Sequence, residues 1–458
     1  MDTMCDMLMF IGTYGNETDN TIQLVQWEPK SASLKLLDSI NGVKNPSYLT
    51  LNQRQNALYA ISEVEQGKVM SFNLQKGNSW IKKPDKQQGN CSHMDNQFQS
   101  HYNQNHSFLK LDCDKHGDPL NEGNGPQVED SLQEIRYSKQ RRGSSQEQAV
   151  NPCEKLDLEQ KERFPEEPVF EGKRVIINQT SDQLCGNGPC YVLVDESNSH
   201  LFTVNYGDGS LSVYTLLSDN TIGALSDHIV HKTGSHPHAI TQIPQTSKFI
   251  VTDLGLSCVY LYLLSEGKLH LQYNLVLSSQ TGPRHIAISP NYRRVYVANE
   301  FQSTVTALCY NESITHLETV QEISTLPFEN HQLEKRNPLS HKCALVPQES
   351  HAITNYGADI HLAAQKPFLY VSNRGHNSIS VFLVQKSGDL SYVSNVSTKG
   401  TWPRNFVICP NDRHMFIANE HSDNVVVMEI EENGTPKYIG TEYVIPSPVC
   451  LKMFEIGG

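Results

Sequence analysis

One phrase recurs along this chain and limits what it can fold into. Its fullest copy, at 282–300, reads GPRHIAISPNYRRVYVANE. A Gly-Pro break leads into an apolar run (Ile286, Ala287, Ile288), a Ser-Pro-Asn reversal and a second run (Val295, Tyr296, Val297) ending on Asn299-Glu300. β-Branched and aromatic residues suit a pleated surface and Pro-Asn suits a turn, so the phrase predicts two short antiparallel strands. Other copies read NPSYLTLNQRQNALYAISEV (45–64), GPCYVLVDESNSHLFTVNY (188–206), HPHAITQIPQTSKFIVTD (236–253), GADIHLAAQKPFLYVSNR (357–374) and WPRNFVICPNDRHMFIANE (402–420). Most are followed by a third run, such as STVTALCY, NSISVFLV or DNVVVMEI. A seventh copy is split. SPVCLKMFEI (447–456) supplies its opening strand and LMFIGTYGNETDNTIQLVQWE (8–28) its continuation.

Pro189, Pro237 and Pro283 are 48 and 46 residues apart, and Pro403 and Pro448 are 45 apart. A period of about 45 residues with three or four strands per unit marks a propeller blade. A blade cannot bury both faces alone, so neighbours must stack. The split unit argues for a closed ring over an open solenoid, because sharing one blade between the termini leaves no free sheet edge there. The expected fold is all-β: a seven-bladed β-propeller with one blade shared between N- and C-terminal segments.

Two spacings exceed the period. Pro46 to Pro189 is 143 residues, about 95 beyond one repeat. Pro283 to Ala358 is 75, about 29 beyond it. The chain therefore reads as a single propeller over 1–458, interrupted at 78–173 and, more briefly, at 327–349. The longer insert (DKQQGNCSHMDNQFQSHYNQNH within it) is polar, aperiodic and poor in β-branched residues. Such a segment buries too little apolar surface to offset its chain entropy, so disorder is expected. Its histidines (His93, His101, His106, His116) show no repeated ligand spacing and read as solvated.

A net charge of −13 argues against a nucleic-acid-binding surface. The eleven cysteines include no CxxC pair, and several sit inside apolar strand runs, a usage that fits a reducing compartment. The opening MDTMCDMLMFIG lacks a basic region before its short apolar run, so no signal peptide is expected. No apolar stretch approaches a membrane span. A cytoplasmic, monomeric protein without nucleic-acid or membrane partners is the expectation.

Function has to come from polar residues that break the repeat's own pattern. Two positions in each phrase face the channel or its rim: those just after the proline and those ending the second strand. The first set carries His238, Arg284-His285, Asp359 and Arg404; the second carries Tyr206, Asp253, Glu300, Arg374 and Glu420. Ionisable groups of both signs meeting at one channel end are costly unless they pair or serve a ligand. Ion pairs stapling blade to blade are the bland alternative for any one of them. For the group His236, His238, Arg284, His285, Glu300 and Arg374 a ligand site is expected, since propellers bind ligands at the channel mouth. Arg404 and Glu420 repeat the Arg284/Glu300 pair two blades on.

These phrases, above all GPRHIAISPNYRRVYVANE, HPHAITQIP with VTDLGL, and GADIHLAAQKPFLYVSNR, resemble the lactonase family of seven-bladed propellers. That family includes propeller-type 6-phosphogluconolactonases and fungal carboxymuconate-lactonising enzymes. The resemblance covers all seven blades and neither insert. It implies a site at one channel end that uses no metal or other cofactor and is built from His236 or His238, Arg284, Glu300 and Arg374. The neighbouring polar residues His285, Asp253, Asp359, Arg404 and Glu420 are candidates for substrate binding.

The residue types suit ester hydrolysis. Arg284 and Arg374 can clamp a phosphate or a developing oxyanion. Glu300 or a histidine of the HPH motif can deprotonate water, and histidine can return a proton to the leaving alkoxide. No G-x-S-x-G elbow is present, which disfavours a covalent serine route. The small-molecule substrate expected is a sugar lactone, 6-phosphogluconolactone first, with a place in the pentose phosphate pathway. A lactonising cycloisomerase acting on a carboxylated muconate is the alternative enzyme. A non-catalytic scaffold is the third reading, because fold alone licenses no activity. Sequence leaves the identity of the base open.

Overall fold

The computed structural model describes residues 7–77, 174–327 and 354–455. These form seven four-stranded antiparallel sheets. The innermost strands are β4 (Leu49–Leu51), β8 (Pro189–Val194), β12 (Pro237–Gln242), β16 (Pro283–Ser289), β20 (Tyr356–Leu362), β24 (Pro403–Ile408) and β28 (Pro448–Glu455). Each packs on the next, and β28 packs on β4, so the ring closes around a channel. The propeller expected from the repeat is the observed architecture.

The shared blade is also observed. Strand β28 pairs with β1 (Met7–Thr13), which pairs with β2 (Ile22–Glu28) and then β3 (Ser33–Ile40). Leu8 lies opposite Phe454 and Ile11 opposite Leu451, and Phe10 stacks on Phe454 at 5.2 Å.

The core lies between blades, and the period-2 pattern explains how one strand serves two neighbours. In β17 (Arg294–Asn299), Val295 and Val297 pack towards the preceding blade, beside Ile250 and Leu261. Tyr296 and Ala298 pack towards the following one, beside Leu369 and Phe382. Both faces are dry, so the strand is apolar at successive positions. The outermost strands differ. Strand β15 (Lys268–Val276) alternates towards solvent, as expected of a sheet's wet edge.

Counting the shared blade as blade I and the others as II to VII in chain order, the longer insert leaves blade II at Gly77 and returns at Arg174, which face each other across β6 (Lys68–Gly77) and β7 (Arg174–Leu184). The disorder expected for 78–173 lies outside the described residues, as does the shorter insert apart from Pro327. Among the described residues no helix is long and apolar enough to cross a membrane.

Candidate active site

Two backbone devices deliver side chains to one end of the channel. The first is a β-bulge directly after the proline. Register slips between Pro189 and Tyr191, Pro237 and Ala239, Pro283 and His285, and Pro403 and Asn405. The extra residue is Cys190, His238, Arg284 or Arg404, and a bulge leaves such a residue unpaired and re-aims its side chain. The second device is a buried asparagine closing the second strand. Asn299 lies opposite Pro283 and donates from Nδ2 to Thr304 and Thr306 Oγ1, both at 2.8 Å. Asn205, Asn373 and Asn419 repeat this arrangement. With the asparagine fixed, the next residue (Tyr206, Glu300, Arg374 or Glu420) turns to the mouth.

Half of the mouth comes from blades IV to VI. Glu300 Oε2 lies 3.0 Å from Arg284 Nε and 2.9 Å from Arg374 Nη2. Both arginines are buried and anchored behind by carbonyls: Arg284 Nη1 donates to Ala358 O at 2.9 Å and Arg374 Nη2 to Gly357 O at 3.0 Å. Nε of Arg374 and Nδ1 of buried His238 make no hydrogen bond, while Arg284 Nε is held in the ion pair with Glu300. The Arg374 guanidinium also sits over Trp402, 5.5 Å from the ring centre.

Behind this half-ring runs an internal chain. Arg284 Nη1 is 3.1 Å from His285 Nε2, and His285 Nδ1 is 2.7 Å from Asp359 Oδ1. Arginine can only donate, so His285 accepts at Nε2 and donates from Nδ1 to Asp359. Asp359 Oδ2 is also 2.9 Å from His361 Nε2 and accepts the amide of Asn405. Tyr48 and Tyr191 stack at 4.0 Å and meet the His285 ring edge-on.

The other half of the mouth comes from blades VII, I and II. Arg404 lies 3.8 Å from Glu420 Oε2 and 4.0 Å from Glu63 Oε2, over the ring of Tyr14. Tyr14 OH donates to Glu63 Oε2 at 3.0 Å.

A seven-bladed β-propeller lactonase family model matches residues 8–109 and 170–453. The chain belongs to this lactonase family. A Bacillus subtilis protein named 6-phosphogluconolactonase is 32% identical over 281 residues, covering 59% of this chain and 74% of that protein. Among solved structures, the Pseudomonas aeruginosa periplasmic gluconolactonase superposes with TM-score 0.67 at 19% identity, over 99% of this chain and 100% of that one. A Lactobacillus plantarum protein gives TM-score 0.67 at 21% identity, over 99% and 100%. These two likenesses speak for the fold.

Of the residues singled out from sequence, the structure of this lactonase gathers His238, Arg284, His285, Glu300, Arg374, Asp359, Arg404 and Glu420 at or directly beneath one mouth. Two are placed otherwise. Asp253 lies opposite Pro237, in the asparagine's position, and is spent on the turn. It accepts from His236 N and Leu256 N, both at 3.0 Å, and from Ser235 Oγ and Tyr260 OH. The residue that follows it towards the mouth is Leu254. His236 stacks on Tyr206 at 4.6 Å with Nδ1 2.8 Å from Tyr206 O, so of the HPH pair it is His238 that lies on the bulge. Sequence reading missed Glu63 and Tyr14. The signal was present: Ser62-Glu63 and Thr13-Tyr14 end their second strands just as Asn299-Glu300 does. Among the described residues no group of three or more His, Cys, Asp or Glu is gathered as a metal ion would need.

The electrostatics follow from burial plus crowding. Burial alone would raise the Glu300 carboxyl, but Arg374 and Arg284 outweigh it and hold it below the usual range. Burial, with Arg374 close by, pushes Arg284 down to about 10, still charged at neutral pH. Burial and the Arg284 charge drive His238 well below the ordinary histidine value and His285 to about 3. Both imidazoles are neutral in the folded enzyme. Burial opposes ionisation of Asp359, yet His361 and His285 hold it far below the carboxylate norm.

These shifts share one sign. The unfolded chain binds protons on both histidines below about pH 6.5, while the folded chain does not until far lower. Stability is therefore expected to be flat near neutrality and to fall as pH drops below about 6.5, continuing towards about 3. The depressed carboxyls of Glu300 and Asp359 add to the loss below their ordinary values. Thermal melts from pH 8 to 4 check this. A melting temperature that rises on acidification would contradict it.

Proposed function

We propose that this lactonase hydrolyses sugar δ-lactones, 6-phosphogluconolactone first among them, at the mouth formed by His238, Arg284, Glu300 and Arg374. The observation that carries the reading is a pair of buried polar atoms there with no hydrogen-bond partner, Arg374 Nε and His238 Nδ1, beside the Arg284–Glu300 ion pair. Leaving such groups unmatched costs about 1–3 kcal/mol each, more for charged ones, a cost that a bound ligand would remove. An anionic, carbonyl-bearing substrate would accept from the guanidiniums, and the attacking water would donate to His238. The identity to the B. subtilis protein named 6-phosphogluconolactonase supports the same substrate. A cytoplasmic place in the pentose phosphate pathway goes with it.

In this mechanism the two arginines bind the carbonyl oxygen and the phosphate, and stabilise the oxyanion as water adds to the carbonyl carbon. Glu300 is too tightly paired to be a good base; it holds the guanidiniums apart and aimed. His238 takes the proton from the attacking water. Burial first, and then the charges of Arg284, Arg404 and Arg374, depress its basicity, and a bound anion offsets those charges. The tetrahedral centre then collapses, the bond from the carbonyl carbon to the ring oxygen breaks, and the imidazolium returns its proton to that oxygen. The open-chain acid then ionises to its carboxylate, releasing one proton.

The test is proton release from freshly made 6-phosphogluconolactone, with and without enzyme. A rate well above spontaneous hydrolysis is expected, with no lactonisation of a carboxymuconate. A rate equal to the spontaneous one would refute the reading.

A further inference from the structure

The mouth is electrically lopsided. The half from blades IV to VI holds Arg284 and Arg374 against Glu300, together with neutral His238. The half from blades VII, I and II holds Glu63 and Glu420 against Arg404. One half is rich in donors and positive charge, the other in acceptors and negative charge.

The second half is also incompletely bonded. Arg404 stands 3.8 and 4.0 Å from its two carboxylates, too far for hydrogen bonds, so this is proximity without closure. Glu420 Oε2 is buried and accepts no hydrogen bond. Glu63 uses Oε2 for Tyr14, and its side chain is only 28% exposed. Arg404 stays charged: burial disfavours the cation, but Tyr14, Glu63 and Glu420 more than offset this. An ion-pair staple would draw these groups into contact, as Arg374 and Glu300 are. Here two carboxylates and a guanidinium face a common space across the mouth from the first cluster.

A gluconic δ-lactone has a matching asymmetry. Its carbonyl and its C6 substituent flank the ring oxygen along one edge, and the C2 to C4 hydroxyls occupy the opposite edge. The first edge accepts hydrogen bonds or carries charge; the second donates.

We infer that Glu63, acting with Glu420 and Arg404, forms a second subsite that binds the hydroxyl edge of the lactone and selects polyhydroxylated lactones over hydroxyl-poor ones. This rests on the sugar-lactone reading above. Carboxylate acceptors and an arginine beside aromatic rings suit a polyol, and each hydroxyl donated to a carboxylate makes a charge-assisted bond. The same two carboxylates oppose a substrate with acid groups at both ends, as a carboxylated muconate has.

The experiment compares kcat/KM for glucono-δ-lactone and for δ-valerolactone, which lacks hydroxyls, in wild type, Glu63→Ala and Glu420→Ala. The ratio between the two lactones is expected to fall about tenfold or more in each variant, the scale of losing a hydrogen bond to a charged group. Glu63→Gln keeps an acceptor for Tyr14 and guards against a folding loss; a smaller fall in the same direction is expected. An unchanged ratio, with both lactones affected alike, overturns the inference. If wild type accelerates neither these lactones nor 6-phosphogluconolactone, the hydrolytic reading fails, and calorimetric binding of gluconate against hexanoate decides the subsite by itself. A tenfold loss for gluconate alone in Glu63→Ala then supports it, and equal losses for both acids overturn it.

Discussion

Removal of residues 447–458 is expected to abolish cooperative melting, leaving a chain that aggregates or unfolds over a broad range. Those residues include β28, which pairs with β1 along its whole length. Val449, Leu451 and Phe454 are buried in the strand that would be lost. Burying side chains of this kind contributes about 1.5–3 kcal/mol each, so three approach the whole stability of about 5–15 kcal/mol typical of a folded domain. Cross-blade bonds go too, since Leu451 N donates to Asn405 Oδ1 at 2.7 Å beside the site. The opened blade would expose the unpaired edge of β1, a template for association. Melting followed by far-UV circular dichroism checks this. A truncated protein that melts like the full chain would mean the ring does not need its seventh inner strand.

The second large effect is expected on chemistry and not on stability. His238→Asn should lower kcat by about a hundredfold to ten-thousandfold, the range for removing an acid–base group. Its Nδ1 makes no hydrogen bond, so the change should cost the fold little. Glu300→Gln should behave differently. It leaves two buried guanidiniums without their counter-charge, and breaking a buried pair from one side costs about 3–5 kcal/mol. Stability should fall with activity there, and affinity for anions should hold or rise because net positive charge increases. The contrast separates a base from an anchor.

The ring was legible because blade packing is repetitive: a proline at the start of five of the seven inner strands and two dry faces behind it leave a period that spacing alone reveals. The mouth was legible where polar residues interrupted that period, as at Arg284, Glu300 and Arg374. Asp253 shows the limit. In VTDLGL the acidic residue looks like the end of ANE, but it takes the asparagine's place, one residue short of the mouth. Only the register with Pro237 shows this. Glu63 was hidden for the opposite reason, lying in a copy whose flanks, AIS and V, are nearly apolar. The His285–Asp359 contact joins inner strands of neighbouring blades 74 positions apart, across the second insert, and no local pattern announces such a pair. Which way a post-proline side chain points is decided by a bulge, and a bulge is a property of pairing between strands.

The most direct test of a hydrolytic channel mouth is kcat on freshly prepared 6-phosphogluconolactone for His238→Asn beside wild type, with melting curves in parallel. The expected result is a loss of at least about a hundredfold with a melting temperature close to wild type. Undiminished turnover in a folded His238→Asn enzyme would contradict the account and take the reaction away from this residue.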